Sequence, residues 1–345
     1  MSRSAKIWTA SEHKIKKDDV DPLAAYICER LTNEGFETYI VGGAVRDLLL
    51  NKKPKDFDIA SAASPAKIKK VFHNSRIIGK RFRLVHVYFD DKIYEIATFR
   101  AIEDGVTTGN TFGKIEDDAH RRDFTINGLF YDPRKELVLD FVDGFSDIKA
   151  RRIRPIIPLN TIFEEDPVRM VRAVKYAAIS GFSLPFNLRS RIKKSAWMLE
   201  HISPSRLTEE MGKIMKSPFA GKIIKELEVL GLYDTLQPRA AKLLRASAQF
   251  RSRYFSRLDK LYTKCAGEAY AEEITGGLLA LIADFVDDNV DWKTANEETF
   301  KTMFAQARKF VLPINPPRIE LARALKNHFS EHGVKVSRWR MPQRS

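Results

Sequence analysis

The sequence predicts an α+β protein, with a mixed α/β head over residues 21–150 and an all-helical remainder. Three observations predict it. Up to residue 150, apolar runs of strand length alternate with short amphipathic helices. After Pro155 and Pro158 the apolar spacing becomes helical almost throughout. The chain has 345 residues, more than the ~150 expected of one domain and ample for a sizeable core.

Residues 1–20 are polar and lysine-rich without periodicity, and read as a flexible basic arm. Asp21-Pro22 opens a helix, a capping side chain followed by proline at the first helical position, with Leu23, Ile27 and Leu31 on one face and Gly35 closing it. Thr38–Val41 reads as a strand running into Gly42-Gly43, after which a helix carries Val45, Leu48 and Leu49. Phe57-Asp58-Ile59 is strand-like, Ser64-Pro65 starts a short helix, and Val85–Phe89 with Ile93–Phe99 reads as a hairpin around Asp90-Asp91. Residues 101–118 read as a polar loop. Arg122–Tyr131 and Leu137–Asp140 complete the head. Asp166-Pro167 then begins a helix that Gly181 ends. Further helices are expected at Asn187–Met198, Pro204–Met215, Ala220–Leu230, 238–264, 270–286, 295–310 and 317–329. The basic tail carries Arg338-Trp339-Arg340.

Composition narrows the function. No apolar run approaches the ~18–20 residues that span a bilayer, and the N-terminus lacks the apolar core of a signal peptide, so a cytoplasmic protein without membrane partners is expected. Two cysteines, Cys28 and Cys265, cannot form a disulfide framework or a thiolate zinc site. Lys and Arg number 59 against 45 Asp and Glu, and the resulting +14 favours a polyanionic partner such as nucleic acid. The seven histidines show no HExxH and no paired metal spacing, and no serine or cysteine lies in a nucleophile motif.

Four patterns carry chemistry. Gly42-Gly43 between strand and helix lets a backbone approach a phosphate without an intervening Cβ. Asp56-x-Asp58 on a strand projects two carboxylates to one face, a repulsion that a cation relieves; Mg²⁺, a hard ion, suits it. Arg121-Arg122-Asp123 sets two guanidiniums, able to grip phosphate bidentately, beside a carboxylate, with Thr125 and Asn127 following. Glu95 rivals Asp123 as a third carboxylate. Asp166, Arg169, Arg172 and Lys175 recur every three residues along one polar helix face, which reads either as a solvated surface or as a nucleotide reader. His201–Glu210 reads as a capped helix start with a basic residue inside it.

In order, GGAVRD (42–47), DFD (56–58), RRDFTIN (121–127), EDPVRMVRAVKYA (165–177) and SPSRLTEEM (203–211) resemble the class II tRNA nucleotidyltransferase and bacterial poly(A) polymerase family. The resemblance covers about residues 35–215. It implies a polymerase-β-like nucleotidyltransferase head, a helical neck over 151–216 with a nucleotide-recognition helix, and a helical body with a basic RNA-binding tail over 217–345. Residues 77–87 and 110–119 are similar to the poly(A) polymerase branch. The implied activity is template-independent addition of AMP from ATP to RNA 3′ ends, on mRNA, small RNAs or tRNA, with Mg²⁺ as cofactor. The resemblance implies that Asp56 and Asp58 hold the metal and that Asp123 is the third catalytic carboxylate. It also implies that Gly42, Gly43, Arg46 and Arg122 contact the triphosphate, and that Asp166, Arg169, Arg172 and Lys175 orient the nucleotide. Lys175 stands where the family has arginine and cannot form a bidentate fork. Gly128 stands where alanine or serine is usual. The competing readings are a CCA-adding enzyme, an inactive RNA-binding protein on the same fold, and a nucleotidyltransferase acting on a small molecule.

Overall fold

The computed structural model describes residues 4–79, 84–100, 113–264 and 274–336. The chain partitions into two units. The first comprises residues up to Ile162 together with Ser180–Leu188, and the second comprises Phe163–Ile179 together with the chain from Arg189 onward. The boundary expected at residue 150 thus moves to 162. Backbone bonds from Ile153 N to Ser183 O (3.0 Å) and from Ser183 N to Arg151 O (2.9 Å) tie residues 180–188 to the end of the head.

Among the described residues the first unit is built on eight strands: β1 (Lys6–Trp8), β2 (Thr38–Val41), β3 (Ile59–Ser61), β4 (Ser75–Ile78), β5 (Leu84–Phe89), β6 (Lys92–Thr98), β7 (Leu129–Asp132) and β8 (Leu137–Asp140). Their order is β1-β8-β7-β2-β3-β6-β5-β4. β3 and β6 run parallel, with Ile59 opposite Ile96; the other neighbours are antiparallel. Central strands must be apolar on both faces, and Ile40, Val41, Leu129, Phe130 and Tyr131 are all buried. The helix Pro22–Asn33 begins as expected, with Asp21 Oδ1 accepting from Leu23 N (2.9 Å) and Ala24 N (3.1 Å). It buries Ala24, Ile27, Cys28 and Leu31, and each fully buried Ile or Leu contributes about 1.5–3 kcal/mol.

Two expectations are corrected here. The described part of the N-terminal arm is not a free tail. Lys6–Trp8 adds β1 to the sheet beside β8, Trp8 packs on Phe145 with ring centroids 4.4 Å apart, and His13, Ile15 and Val20 are buried. A few apolar side chains among many lysines were too sparse to show a period. β4 was also unforeseen. It lies at the far edge of the sheet, where half-exposed residues blur the alternation that marks a strand.

Gly128 is tighter than the sequence suggested. A Cβ there would lie 2.8 Å from Val142 Cγ2 and 3.1 Å from Ile156 Cδ1, so these side chains fill the space an alanine methyl would need.

The second unit is helical. Pro204–Met215, Ala220–Val229, Thr275–Asp287, Glu297–Phe310 and Arg318–Glu331 follow the expected spacing closely. The single helix expected over 238–264 is two, Pro238–Ala246 and Ala248–Lys264. Ser247 between them is extended, and its Oγ accepts from Phe250 N (3.1 Å), which restarts the helix. Tyr233 and Tyr254 pair through their buried hydroxyls at 2.6 Å. Among the described residues no helix is long and apolar enough to cross a membrane. Cys28 is buried; Cys265 and the tail 337–345 lie outside the described residues.

Candidate active site

In the first unit, Asp56 and Asp58 lie just ahead of β3 rather than within it, and both are exposed. Asp58 still belongs to the ladder, since its carbonyl accepts from Val41 N at 2.9 Å. One residue before the paired Ile59 and Ile96 on parallel strands, Asp58 and Glu95 are neighbours in register. Glu95 is exposed and stands opposite His86 on β5, its Oε1 3.3 Å from His86 Nε2. This edge carries three exposed carboxylates, the oxygen donors that a hard divalent cation prefers, though among the described residues only Asp287, His328 and His332 bring three ligand atoms within 4.8 Å of one another.

The loop that follows the helix Ile115–His120 is different in kind. Asp118 is buried, with its carboxylate facing both arginines of the motif. Arg121 Nε donates to Oδ1 (2.8 Å), and Arg122 Nε and Nη2 donate to Oδ2 (3.2 and 2.9 Å). Burial alone would raise the Asp118 pKa, but Arg122 and Arg121 outweigh it and hold it below the ordinary carboxylate value. Arg122 Nη1 also donates to Asn127 O (3.1 Å) and approaches Gly42. Gly42 has φ +69°, a left-handed conformation that glycine adopts readily. A Cβ there would come to 3.4 Å from Arg122 Nη1. The Gly42-Gly43 turn and Arg122 therefore lie side by side, in ordinary contact distance.

Asp123 is only 7% exposed. Its Oδ1 accepts from Phe124 N (2.8 Å) and Asn127 Nδ2 (3.2 Å). Asn127 Oδ1 in turn accepts from Arg46 Nη1 (3.0 Å), and Arg46 Nε donates to Asp47 (2.9 Å). Arg46 is buried. Asp147, fully buried, fixes the loop from below: Thr125 Oγ1 (2.7 Å), Arg152 Nε (2.6 Å) and Arg154 Nε (2.7 Å) all donate to it. Sequence reasoning gave Asp118 and Asp147 no role. The signal available was the arginines nearby, since an arginine cluster that folds needs buried acceptors.

In the second unit, Asp166 and the helix Val168–Ser180 carry the other site residues. Asp166 Oδ1 accepts from Val168 N at the helix start (3.1 Å), and both its oxygens accept from Arg206 Nη2 (3.0 and 2.8 Å). Arg169 donates to Glu165 (2.7 Å). The polar stripe is incomplete at Lys175, which is buried and bonded through Nζ to Glu210. Arg172 Nη1 stands 3.6 Å and Lys213 Nζ 3.5 Å from the other Glu210 oxygen. Burial would raise the Glu210 pKa, yet Lys175, Lys213 and Arg172 bring it below the carboxylate value. Glu210 gathers three cations, a role that its place in SPSRLTEEM did not reveal.

The histidines depart from expectation, because His328 and His332 stand one helical turn apart and face Asp287. Of the segments singled out as similar to the poly(A) polymerase branch, residues 80–83 and 110–112 lie outside the described residues. The remainder falls on β4, β5 and the helix Ile115–His120.

A family profile described as "Poly A polymerase head domain" matches residues 38–154, and one described as "Probable RNA and SrmB- binding site of polymerase A" matches 181–244. Poly(A) polymerase I of Escherichia coli is 40% identical over 242 residues, 66% of this chain and 52% of that protein. A CCA-adding enzyme of Geobacillus kaustophilus is 37% identical over 232 residues, 65% of this chain and 57% of that protein. The chain thus spans about half the length of the curated relatives it matches. Among solved structures, the Bacillus stearothermophilus CCA-adding enzyme in complex with CTP matches with a TM-score of 0.61 at 28% identity, covering 92% of this chain and 85% of that one. The Thermotoga maritima CCA-adding enzyme complexed with tRNA matches in fold, with a TM-score of 0.57 at 20% identity over 94% of this chain and 85% of that one. Ordered motifs, sheet and matched segments together identify the chain as a member of the class II tRNA nucleotidyltransferase and poly(A) polymerase family.

Proposed function

We propose that this protein adds adenylates from ATP to RNA 3′ ends without a template. The observation that carries the reading is the set of exposed carboxylates at the β3–β6 edge, Asp56, Asp58 and Glu95. The 3′-hydroxyl of the RNA attacks the α-phosphate of ATP in line and pyrophosphate leaves. Asp56, Asp58 and Glu95 would hold Mg²⁺, which lowers the pKa of the attacking hydroxyl and offsets charge on the leaving group. Glu95 is preferred to Asp123 as the third carboxylate because Asp123 is buried and holds Asn127. Gly42 and Gly43 admit the triphosphate to the backbone and Arg122, pre-oriented by Asp118, meets its charge. Arg46 positions Asn127 and the turn. In the second unit, Asp166 and Arg169 read the base, Arg172 supports the nucleotide, and Lys175 acts through Glu210.

Adenylate addition is preferred on the 40% identity to poly(A) polymerase I and on the segments 77–87 and 110–119. The second reading, CCA addition, is favoured by the 37% identity to CCA-adding enzymes and the likeness to one with CTP bound. The two separate in one assay. The purified protein with Mg²⁺ receives an oligoadenylate or a tRNA lacking its CCA end, with ATP, CTP or both. Long ladders on the oligoadenylate with ATP alone are expected. A three-nucleotide extension confined to tRNA and needing both nucleotides would establish the second reading instead.

A further inference from the structure

The second unit contains a cluster that the nucleotidyl-transfer chemistry does not use. Asp287 ends the helix Thr275–Asp287, and His328 and His332 lie four residues apart at the end of Arg318–Glu331. That spacing puts both imidazoles on one helix face. Their Nε2 atoms converge on a single oxygen, Asp287 Oδ1, at 2.7 Å from His328 and 3.4 Å from His332. The three ligand atoms all lie within 4.8 Å of one another. Each ring has a further partner. Glu331 Oε2 is 3.4 Å from His328 Nδ1, and Trp292 stacks on His332 with centroids 3.8 Å apart and planes 4° from parallel. Asp287 Oδ2 accepts from Arg257 Nη2.

We propose that Asp287, His328 and His332 form a site for a borderline transition-metal ion such as Zn²⁺, joining the helices Thr275–Asp287 and Arg318–Glu331. Three atoms that can each act as a metal ligand converge: without a metal each ring can donate its own Nε2–H to Asp287, and a divalent cation would replace those protons and bind all three atoms. Two imidazoles and one carboxylate suit Zn²⁺, Co²⁺ or Ni²⁺, while Mg²⁺ prefers all-oxygen ligands. Metal–ligand bonds of ~2.0–2.1 Å in a tetrahedral site set ligand atoms about 3.3–3.4 Å apart. The His332–Asp287 contact already has that length. The His328–Asp287 contact lengthens by roughly 0.6 Å to reach it, within the range of a side-chain adjustment. Glu331 on the distal nitrogen of His328 and Arg257 on the second oxygen of Asp287 are the outer partners that orient metal ligands. Three protein ligands leave a position for water.

The test uses the full chain, treated with a chelator and titrated with Co²⁺ in the absence of nucleotide and RNA. An Asp58→Ala background removes the contribution of the β3–β6 edge. One equivalent is expected to bind with the intense visible absorption of low-coordinate Co²⁺, to be displaced by Zn²⁺, and to raise the melting temperature. Stacked on a ligand ring, Trp292 is the built-in reporter: Co²⁺ should quench tryptophan emission in the parent and not in Trp292→Phe. His332→Gln, at a half-exposed position, should lower affinity by about 100-fold or more while leaving the metal-free melting temperature unchanged. The absence of stoichiometric binding, equal binding by His332→Gln, or quenching that persists in Trp292→Phe would each overturn the proposal. Should His332→Gln fail to fold, the Trp292→Phe comparison decides alone.

Discussion

Within the first unit, the β3–β6 edge and the segment 118–127 hold carboxylates in opposite surroundings. At the edge, Asp56, Asp58 and Glu95 are exposed. In the loop, Asp118 and Asp123 are buried and already engaged, by Arg121 and Arg122 in one case and by Phe124 N and Asn127 in the other. Asp147 beneath them is engaged by Thr125, Arg152 and Arg154. Exposed carboxylates side by side gain from a nearby cation, whereas buried, hydrogen-bonded carboxylates fix the geometry of their donors. A short acidic motif therefore says little about its job until burial and partners are known.

That contrast can be broken in four ways. Asp58→Ala should lower nucleotide addition by about 10³-fold or more while leaving the melting temperature and RNA binding close to wild type, since the metal ligands supply several kcal/mol of transition-state stabilisation. Activity within tenfold of wild type would end the assignment of the edge. Asp118→Ala should do the reverse: two part-buried guanidiniums lose their buried acceptor, and denaturant unfolding should show a loss of about 3 kcal/mol. The direct contest is between Glu95→Gln and Asp123→Asn. If the edge carries the third carboxylate, Glu95→Gln should lose about 10²-fold in kcat and Asp123→Asn less than about tenfold. The reverse ranking would return the role to Asp123.

The smallest effect concerns pH and extends the contrast to the second unit. Asp118 and Glu210 have folded pKa values below their ordinary values of 3.8 and 4.5, because neighbouring cations outweigh burial. A depressed carboxylate contributes stability that is complete above its unfolded pKa and lost as pH falls through its folded value. The stability deficit of Glu210→Gln should therefore shrink as pH drops below 4.5. A deficit that stays constant with pH would show that the Glu210 charge contributes nothing beyond its hydrogen bonds.

Much of this arrangement was legible in the sequence. The strand 38–41, the helix after Asp21-Pro22 and the helix Pro204–Met215 follow from periodicity and caps, which are local signals. The Gly42 turn and the Asp56–Asp58 pair stand out in the sequence by the chemistry they would offer. What escaped depends on long-range contacts. β1 is a strand because β8 offers it an open edge, not because Lys6–Trp8 has strand character. The helix break at Ser247 rests on one side-chain cap inside an unbroken apolar pattern. Glu210 sits 35 residues from Lys175, and Asp147 is 22 from Thr125, so no local spacing could pair them. The His328–His332 pair was passed over because a one-turn spacing in a charged helix gives little sign until Asp287 arrives from another element.

The parallel pairing of β3 with β6 has a consequence for the order of folding. Neighbouring antiparallel strands can close through short hairpins, as β5 and β6 do across Asp90-Asp91. β3 and β6 cannot, since parallel strands require a crossover, and here the crossover includes the helix Pro65–Val71 together with β4 and β5. Asp58 and Glu95 become neighbours only when that whole excursion has closed, so the entropy of a long loop must be overcome before the edge exists. The carboxylate edge is in this sense a late product of folding, and a chain caught short of the β3–β6 pairing would have most of its hairpins without Asp58 and Glu95 side by side.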